Sequence, residues 1–135
     1  MDRAREFTDP SPLSLQCIGD TLIATAQREL GDTTILQFRM HLLDRLERSP
    51  TRALIVDVSA VAAIDRHELG LLEDTLAMAR IMGTRPILLG LSPGIAAALV
   101  EMDGGHDELA RHLEIAASLD DALHRLAEKQ PWRRS

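Results

Sequence analysis

The order of apolar runs along the chain limits its fold more than any other feature of the sequence. Two short apolar stretches come first, at Leu13–Ile18 and Thr21–Gln27, and Gly19-Asp20 separates them. A two-residue break with glycine suits a β-hairpin, because glycine tolerates the positive φ of a tight turn. The chain is therefore predicted to open with two antiparallel strands and not with a strand–helix–strand unit.

Helical and buried-strand patterns alternate after this hairpin. We predict strands at Arg52–Val58, Pro86–Leu91 and Leu113–Ala116, and helices at Asp32–Arg48, Asp65–Gly83, Ser92–Met102 and Ser118–Glu128, each helix capped by its first residue. Continuous apolar runs such as the one within Arg52–Val58 are typical of strands buried on both faces. A hairpin followed by βα units predicts an α/β fold, in which about four helices pack against a mixed sheet.

The apolar stripes of the two longest helices predict which side chains enter the core. These are Ile35, Leu36, Phe38, Leu42, Leu43 and Leu46 in the first helix, and Leu69, Leu72, Leu76, Ala79 and Ile81 in the second. Aromatic residues make up only 2% of the chain, so the core must consist of aliphatic side chains and methionine.

The length of 135 residues suits one domain. We expect residues 13–129 to form it, after a flexible lead at 1–12 that contains two prolines and before a frayed tail at 130–135. Cys17 is the only cysteine, and no apolar run approaches the roughly 20 residues of a membrane span. These features, with an N-terminus unlike a signal peptide, predict a cytoplasmic protein.

Composition and spacing argue against nucleic-acid binding and against catalysis. The formal net charge is −6, whereas a phosphate-backbone partner needs a basic surface. Five histidines show no tight metal-ligand spacing, and the glycines fit neither a dinucleotide fingerprint nor a P-loop. Ser92, Asp57 and His106 could be combined as a triad, but no nucleophile elbow accompanies them. We therefore expect no enzyme activity, no cofactor and no metal.

Asp57 admits two interpretations, because it ends a buried strand. One is the phosphoacceptor of a receiver domain, which also requires an acidic pair after the first strand and a lysine after the last. Here the first strand ends in Gly19-Asp20, and the only lysine is Lys129, far down the final helix. The other interpretation, which we favour, is that Asp57 accepts hydrogen bonds from the backbone of the following loop.

The segment from Asp57 to Leu72 is the most informative about function. A buried strand ends in Asp57-Val58-Ser59, an apolar loop follows, and Asp65 then opens a helix. An exposed helix N-terminus offers free N–H groups and a partial positive charge, so it suits a phosphate or a carboxylate. A phosphorylatable residue just after such a cap would act as a charge switch on a docking surface.

These residues, with others along residues 13–127, resemble the STAS family of anti-sigma-factor antagonists, and most closely its RsbS-like stressosome scaffold branch. The matching segments are Gly19-Asp20 with Leu22-Ile23, Asp32 with Leu36-Gln37-Phe38, Asp57-Val58-Ser59, Ile64-Asp65, Ala77–Gly83 and Leu89–Pro93. The resemblance implies a mixed sheet with helices on one face and a function exerted by binding. Its implied partners are a GHKL-type serine/threonine kinase and STAS paralogues, with assembly into an oligomer.

The resemblance places the phosphoacceptor serine or threonine at position 66, directly after Asp65, but this chain has Arg66 there. A second acceptor position of the family falls near Pro86-Ile87 and also lacks a hydroxyl, with Thr84 nearby but out of register. Ser59 is interpreted as structural, and His67 is the other candidate acceptor. The docking region implied is thus Asp65, Arg66 and His67, with Asp57 and Ser59 at the strand end.

Three hypotheses for Arg66 and the domain remain open on the sequence. The domain is a constitutive scaffold in which Arg66 fills the docking site, or Arg66 pairs with an acidic partner group or anion and changes the specificity. The third hypothesis is a different class of function: a STAS module that senses a small molecule such as a nucleotide or a lipid.

Overall fold

The computed structural model describes residues 13–101 and 114–128, with the backbone alone for 98–101. The predicted lead at 1–12, the tail at 130–135, and His106 lie outside the described residues. The elements, in chain order, are β1 (Leu13–Ile18), β2 (Thr21–Ala26), α1 (Asp32–Arg48), β3 (Ala53–Asp57), α2 (Arg66–Ile81), β4 (Arg85–Leu89), α3 (Pro93–Glu101), β5 (Glu114–Ala116) and α4 (Leu119–Ala127). The predicted order of strands and helices is confirmed.

The five strands form one sheet in the order β1-β2-β3-β4-β5. β1 pairs antiparallel with β2, with Leu13 opposite Ala26, and every later pair is parallel. Gly19 has a φ of +62° at the first turn position, which is the reason the hairpin needs glycine there. The carboxyl ends of β2, β3 and β4 therefore lie at one edge of the sheet, and the loops that follow β3 and β4 meet there.

The sheet has a core on each face. On the first face, α1 and α2 pack against residues such as Leu54, Val56 and Leu88, and Ile95 of α3 joins them. On the second face, α4 contributes Ala122 and Leu126 to a smaller cluster. The expectation of helices on one face is thus wrong for α4. The cause is the alternation of side chains along each strand, which makes β3 and β4 apolar on both faces.

Two arginines at the amino ends of β3 and β4 hold the C-terminus of α4. An Nη of Arg52 donates to the Leu126 carbonyl at 2.5 Å, and Arg85 donates to the Arg125 carbonyl at 3.3 Å. Arg85 also forms a two-pronged ion pair with Glu114, at 2.8 and 2.7 Å. Cations suit a helix C-terminus, whose carbonyls lack intrahelical partners, so these contacts offset the small apolar area beneath α4.

Three of the four predicted helix caps are confirmed. The side chains of Asp65, Ser92 and Ser118 accept from the backbone N–H groups of Glu68, Ile95 and Asp121. Asp32 was wrongly predicted as a cap: Gly31 occupies that position without a side-chain hydrogen bond, and Asp32 is the first helical residue. Its Oδ1 accepts from the neighbouring Thr33 N–H instead, at 2.7 Å.

The predicted core stripes are correct except at their edges. Leu36 is 42% exposed and Ile81 is 85% exposed, so neither enters the core. Glu73 and Thr75 are also buried on α2, although neither fits the apolar stripe of the sequence. Thr75 is buried because Arg39 reaches across from α1 and donates to its Oγ1 at 2.9 Å and to the Leu71 carbonyl at 3.0 Å. Arg39 and Thr75 thus form a polar contact within the interface between α1 and α2. Among the described residues no helix is both long and apolar enough to cross a membrane.

Candidate functional site

The end of β3 is fixed by hydrogen bonds from the loop that follows it. Asp57 Oδ1 accepts from the Ser59 backbone N–H at 2.9 Å and also from the Ser59 hydroxyl. Val58 N–H donates to the Leu89 carbonyl at the end of β4, at 2.9 Å. Asp57 therefore accepts hydrogen bonds from its own loop, as one of the two interpretations of the sequence held, and the Ser59 hydroxyl is engaged in the same turn.

The loop after β4 approaches this turn closely at Gly90. Gly90 has a φ of +84°, and a Cβ there would meet the Ser59 hydroxyl and lie 2.8 Å from Ser59 N and 2.9 Å from Ser59 Cα. Only glycine allows both this φ and this approach. Further along, a Cβ on Gly94 would lie 3.1 Å from the Ala62 carbonyl. The loop between β3 and α2 thus rests on the connection between β4 and α3.

The N-terminus of α2 is closed by a capping box. Asp65 Oδ1 accepts from Glu68 N–H at 2.7 Å, and Glu68 Oε1 accepts from Asp65 N–H at 3.1 Å. Ile64 is buried just before the cap and fixes the entry of the chain into the helix. Arg66 is the first residue of α2, and its side chain is exposed. The cap therefore fixes the backbone at position 66, and the side chain at this position faces solvent.

His67 lies where the N-termini of α1 and α2 come together. Its Nε2 is 3.9 Å from Asp32 Oδ2, and both side chains are more than half exposed, at 70% and 59%. Such an exposed contact is worth little, and it is an ion pair only when the imidazole is protonated. The acidic groups at this corner of the molecule are thus Asp32, Asp65 and Glu68, with the Arg66 guanidinium beside them.

The structure separates the predicted site residues into two groups. Asp65, Arg66 and His67 are exposed and contiguous at the start of α2, so they can meet a partner. Asp57 and Ser59 lie at the same edge of the sheet but are bonded to each other, and a phosphate on Ser59 would adjoin the Asp57 carboxylate. Gly90 lies within the Leu89–Pro93 segment of the family resemblance, but its contact with Ser59 has no signal in the sequence, because a positive φ cannot be seen there.

The residues near the second acceptor position that the family resemblance implies are buried. Thr84 is 3% exposed, and its hydroxyl donates to the Thr51 carbonyl at 2.9 Å. Pro86 and Ile87 are buried in β4. These residues lie at the amino ends of the parallel strands, the sheet edge opposite to Arg66. Among the described side chains, no group of three or more histidine, cysteine or acidic residues has the arrangement of a metal site.

Removing the cap tests how far α2 depends on it. We expect Asp65→Ala to lower the free energy of unfolding by about 1 kcal/mol, the usual worth of an N-cap side chain. Asp65→Asn keeps an acceptor oxygen and should lose much less. Urea unfolding followed by circular dichroism measures both variants. Equal losses in the two would show that the carboxylate charge, and not the capping hydrogen bond, stabilises the helix.

Comparison with known proteins gives a consistent result. The STAS domain family model matches residues 12–122. The fold is similar to that of an RsbS variant from Moorella thermoacetica, with a TM-score of 0.68, 22% identity, and coverage of 86% of this chain and 95% of that chain. It is similar to a chain of the stressosome, with a TM-score of 0.69, 24% identity, and coverage of 83% and 94%.

A third similar structure is the anti-sigma factor antagonist SpoIIAA in its unphosphorylated form, with a TM-score of 0.68, 17% identity, and coverage of 84% of this chain and 95% of that chain. A search of curated protein sequences found no match. At identities this low, the likeness to these structures establishes the shared fold.

Proposed function

This chain belongs to the STAS domain family, and on that premise we propose that it is a non-catalytic regulatory domain of the cytoplasm that acts by binding other proteins. Its fold is that of anti-sigma factor antagonists and of RsbS. The proposed partners are a GHKL-type serine/threonine kinase, STAS paralogues, or both. We take residues 13–129 as the single unit that binds them.

The observation that supports this proposal best is the position of Arg66. It is exposed at the first residue of α2, directly after the capping Asp65. A hydroxyl at this place could accept a phosphate, whose negative charge the helix N-terminus stabilises. Arginine cannot accept phosphate from such a kinase, and its charge has the opposite sign. We propose that the domain binds its partner without being switched by phosphate at this position.

The proposed docking surface extends along the outer face of α2. Arg66, Gly70, Asp74, Ala77 and Ile81 follow one another at spacings of three or four residues, which keep them on one side of the helix. Gly70 and Ala77 are small, so a partner helix can approach closely, and Ile81 is 85% exposed at the far end. The α2 surface, defined by these five residues, thus combines a cation at Arg66, two small residues beside the Asp74 carboxylate, and an apolar end at Ile81.

Charge reversal at Arg66 tests the contact with a partner. If Arg66 meets an acidic group, Arg66→Glu should weaken binding at least tenfold, which corresponds to about 1.4 kcal/mol. Affinity capture of the tagged protein from its native lysate, with mass spectrometry, identifies the partner, and titration with the purified partner gives the affinity. Arg48→Glu is the matched control, because Arg48 is an exposed arginine at the opposite end of α1.

Each outcome of this capture decides between the hypotheses. Recovery of a GHKL-type kinase or STAS paralogues with an affinity that falls only in Arg66→Glu supports the proposal. Unchanged affinity in Arg66→Glu rejects the contact at Arg66. A capture without any stoichiometric partner rejects the protein-binding function. Thermal shifts with nucleotides and lipids would then test the small-molecule alternative.

Restoring a hydroxyl tests whether Arg66 only blocks regulation. We expect Arg66→Ser to gain one phosphate from the captured kinase, while the wild-type chain gains none, as measured by intact-protein mass spectrometry. The double variant Arg66→Ser/Ser59→Ala should gain the same phosphate, because the Ser59 hydroxyl is bonded to Asp57. No mass increase in Arg66→Ser with an active kinase would contradict the blocking role.

A further inference from the structure

Glu73 is a buried carboxyl group without a partner. Its side chain lies on α2 and is 4% exposed. Among the described side chains, only Glu73 has buried polar atoms that lack a hydrogen-bond partner, and both of its carboxylate oxygens are of this kind. Burying an ionised carboxylate without a partner is costly, whereas the neutral acid is tolerated far better. The protonation state of Glu73 therefore affects whatever packs over it.

Glu73 lies on the flank of α2 that is turned away from α1. The opposite flank is marked by Leu71 and Thr75, since Arg39 of α1 donates to the Leu71 carbonyl and to Thr75 Oγ1. Successive residues of an α-helix are rotated by about 100°. Glu73 is two positions from both Leu71 and Thr75, so its side chain leaves the helix on the other flank.

The neighbour of α2 on that flank is α3. Each of α1, α2 and α3 connects one strand of the parallel run from β2 to β5 to the next, so the three helices lie in this order across the first face. Ile95 of α3 joins the core cluster that contains Leu69 of α2. Both helices begin at the same edge of the sheet, where Gly94 adjoins the loop before α2. Glu73, in the middle of α2, is therefore level with the second half of α3.

Of the elements beside Glu73, α3 is held most weakly. Its first turn is fixed by the Ser92 side chain, which accepts from Ile95 N–H at 3.3 Å. Within residues 93–97 only Ile95 is buried, and the others are exposed. Segments with few buried apolar contacts open locally at a lower free energy than the whole domain unfolds. α3 can therefore move away from Glu73 while the sheet, α1 and α2 stay folded.

Few charged groups surround this contact. The charged residues on the elements that meet Glu73 are Arg66, Asp74 and Arg80 on α2, Arg39 on α1, Arg85 on β4 and Glu101 at the end of α3. Arg39 binds Thr75 and Leu71, and Arg85 is paired with Glu114 on the second face. Burial first, and the Asp74 charge second, raise the pKa of Glu73 from 4.5 to about 7, with no opposing effect from an arginine of the described chain.

We propose that Glu73 is a proton switch for α3: the second half of α3 packs closed against the neutral acid and opens locally when Glu73 is ionised. The ionised carboxylate gains water by this opening, which is the least costly way to hydrate it. Because the raised pKa lies close to neutrality, the population of the open form changes within the physiological range. The switch concerns the domain alone and does not depend on the proposed partner.

Amide hydrogen exchange of the whole chain, read from peptides by mass spectrometry, tests this proposal. Each rate is divided by the intrinsic rate at the same pH. Opening that releases one proton becomes about tenfold more frequent per pH unit between the two pKa values, 4.5 and about 7. We expect the protection of α3 to fall by about tenfold or more from pH 5.5 to pH 7.5. In Glu73→Gln it should stay constant over this range.

Two controls separate local opening from unfolding of the whole domain. Urea well below the unfolding midpoint should accelerate exchange in the central residues of α1 but not in α3, because local opening exposes little surface. Asp74→Asn, which removes the adjacent exposed carboxylate, should keep most of the pH dependence of α3.

Three results would overturn the proton switch. The first is α3 exchange at the same rate and with the same urea dependence as α1, since α3 would then open only with the whole domain. The second is α3 exchange without protection at every pH, since no closed form would exist. The third is the same pH dependence in Glu73→Gln as in the wild type, since another group would then control the opening.

Discussion

Gly90→Ala is expected to cost about 2–5 kcal/mol of unfolding free energy. An L-residue in the left-handed region costs roughly 1–2 kcal/mol, and forcing extra atoms into a packed site costs about 1–3 kcal/mol more. Both apply here, because Gly90 has a φ of +84° and its new Cβ would lie 2.8 Å from Ser59 N. The backbone of Ser59 cannot move aside without breaking the Asp57 turn. Urea unfolding measures the loss.

Gly83→Ala separates the two causes. Gly83 has a φ of +95°, but a Cβ there would meet nothing within 4 Å. It should therefore lose only the conformational part, about 1–2 kcal/mol. Ser59→Gly added to Gly90→Ala removes the clash with the hydroxyl but leaves the clash with the backbone, so we expect only partial recovery. A loss in Gly90→Ala no larger than in Gly83→Ala would contradict the close approach to Ser59.

Gly90→Ala also tests whether the position of Ser59 matters for the proposed function. The loop that Gly90 supports leads from Ser59 to Asp65 and Arg66, so a displaced Ser59 alters where the α2 surface begins. We expect Gly90→Ala to bind its captured partner more weakly than Gly83→Ala, even under conditions in which both are folded. Equal affinities would show that the start of α2 is fixed by its capping box alone.

Glu73→Gln is expected to stabilise the protein in a pH-dependent way. Glu73 is 4% exposed, and neither carboxylate oxygen has a hydrogen-bond partner among the described residues. Burial, with a smaller contribution from the nearby Asp74 charge, raises the pKa of Glu73 from 4.5 to about 7. Between pH 4.5 and about 7, Glu73 is therefore protonated in the folded protein but ionised in the unfolded chain.

The direction of the effect follows from this proton. Where the folded state binds more protons than the unfolded state, stability falls as the pH rises. The contribution of Glu73 is therefore neutral below pH 4.5, becomes unfavourable up to about pH 7 and is constant above it. A pKa raised this far corresponds to roughly 3 kcal/mol. We expect Glu73→Gln to be more stable than the wild type by up to that amount at pH 8, and nearly equal to it at pH 4.5.

Asp74→Asn is the control for this prediction. Asp74 is exposed and adjacent to Glu73, so its removal takes away only the smaller cause of the raised pKa. It should leave most of the pH dependence in place. Urea unfolding at a series of pH values compares the three proteins. A Glu73→Gln variant with the same slope of stability against pH as the wild type would show that Glu73 is ionised without penalty.

Local patterns were enough to predict the elements of this fold. Gly19-Asp20 predicted the hairpin, and Asp65, Ser92 and Ser118 predicted helix starts, because a turn or a cap depends only on residues close in sequence. The apolar runs predicted β3 and β4 for the same reason. Asp32 failed as a cap, since the Gly31 carbonyl accepts from the Ile35 N–H and Asp32 is already the first helical residue.

In the candidate site, too, local features could be predicted from the sequence and features that depend on packing could not. The exposed position of Arg66 after Asp65 followed from the cap pattern and from the family resemblance. The contact of Gly90 with Ser59 could not be predicted, because it joins two segments far apart in sequence. The burial of Glu73 could not be predicted either, because it depends on which edge of the helix is covered. Ile81 shows the converse, since it was predicted as a core residue but lies two positions after the buried Ala79, on the outer face of α2, and is 85% exposed.

The sequence by itself determined the element order, the hairpin, most helix ends and the place of Arg66 directly after the Asp65 cap, all of which are local. Only the tertiary structure decided that α4 lies on the second face of the sheet, that Ser59 rests on Gly90, and that Arg39 binds Thr75 across two helices. These contacts depend on strand order and helix packing, which no short window of sequence contains. The physical reason is that burial and close approach are properties of the assembled layers.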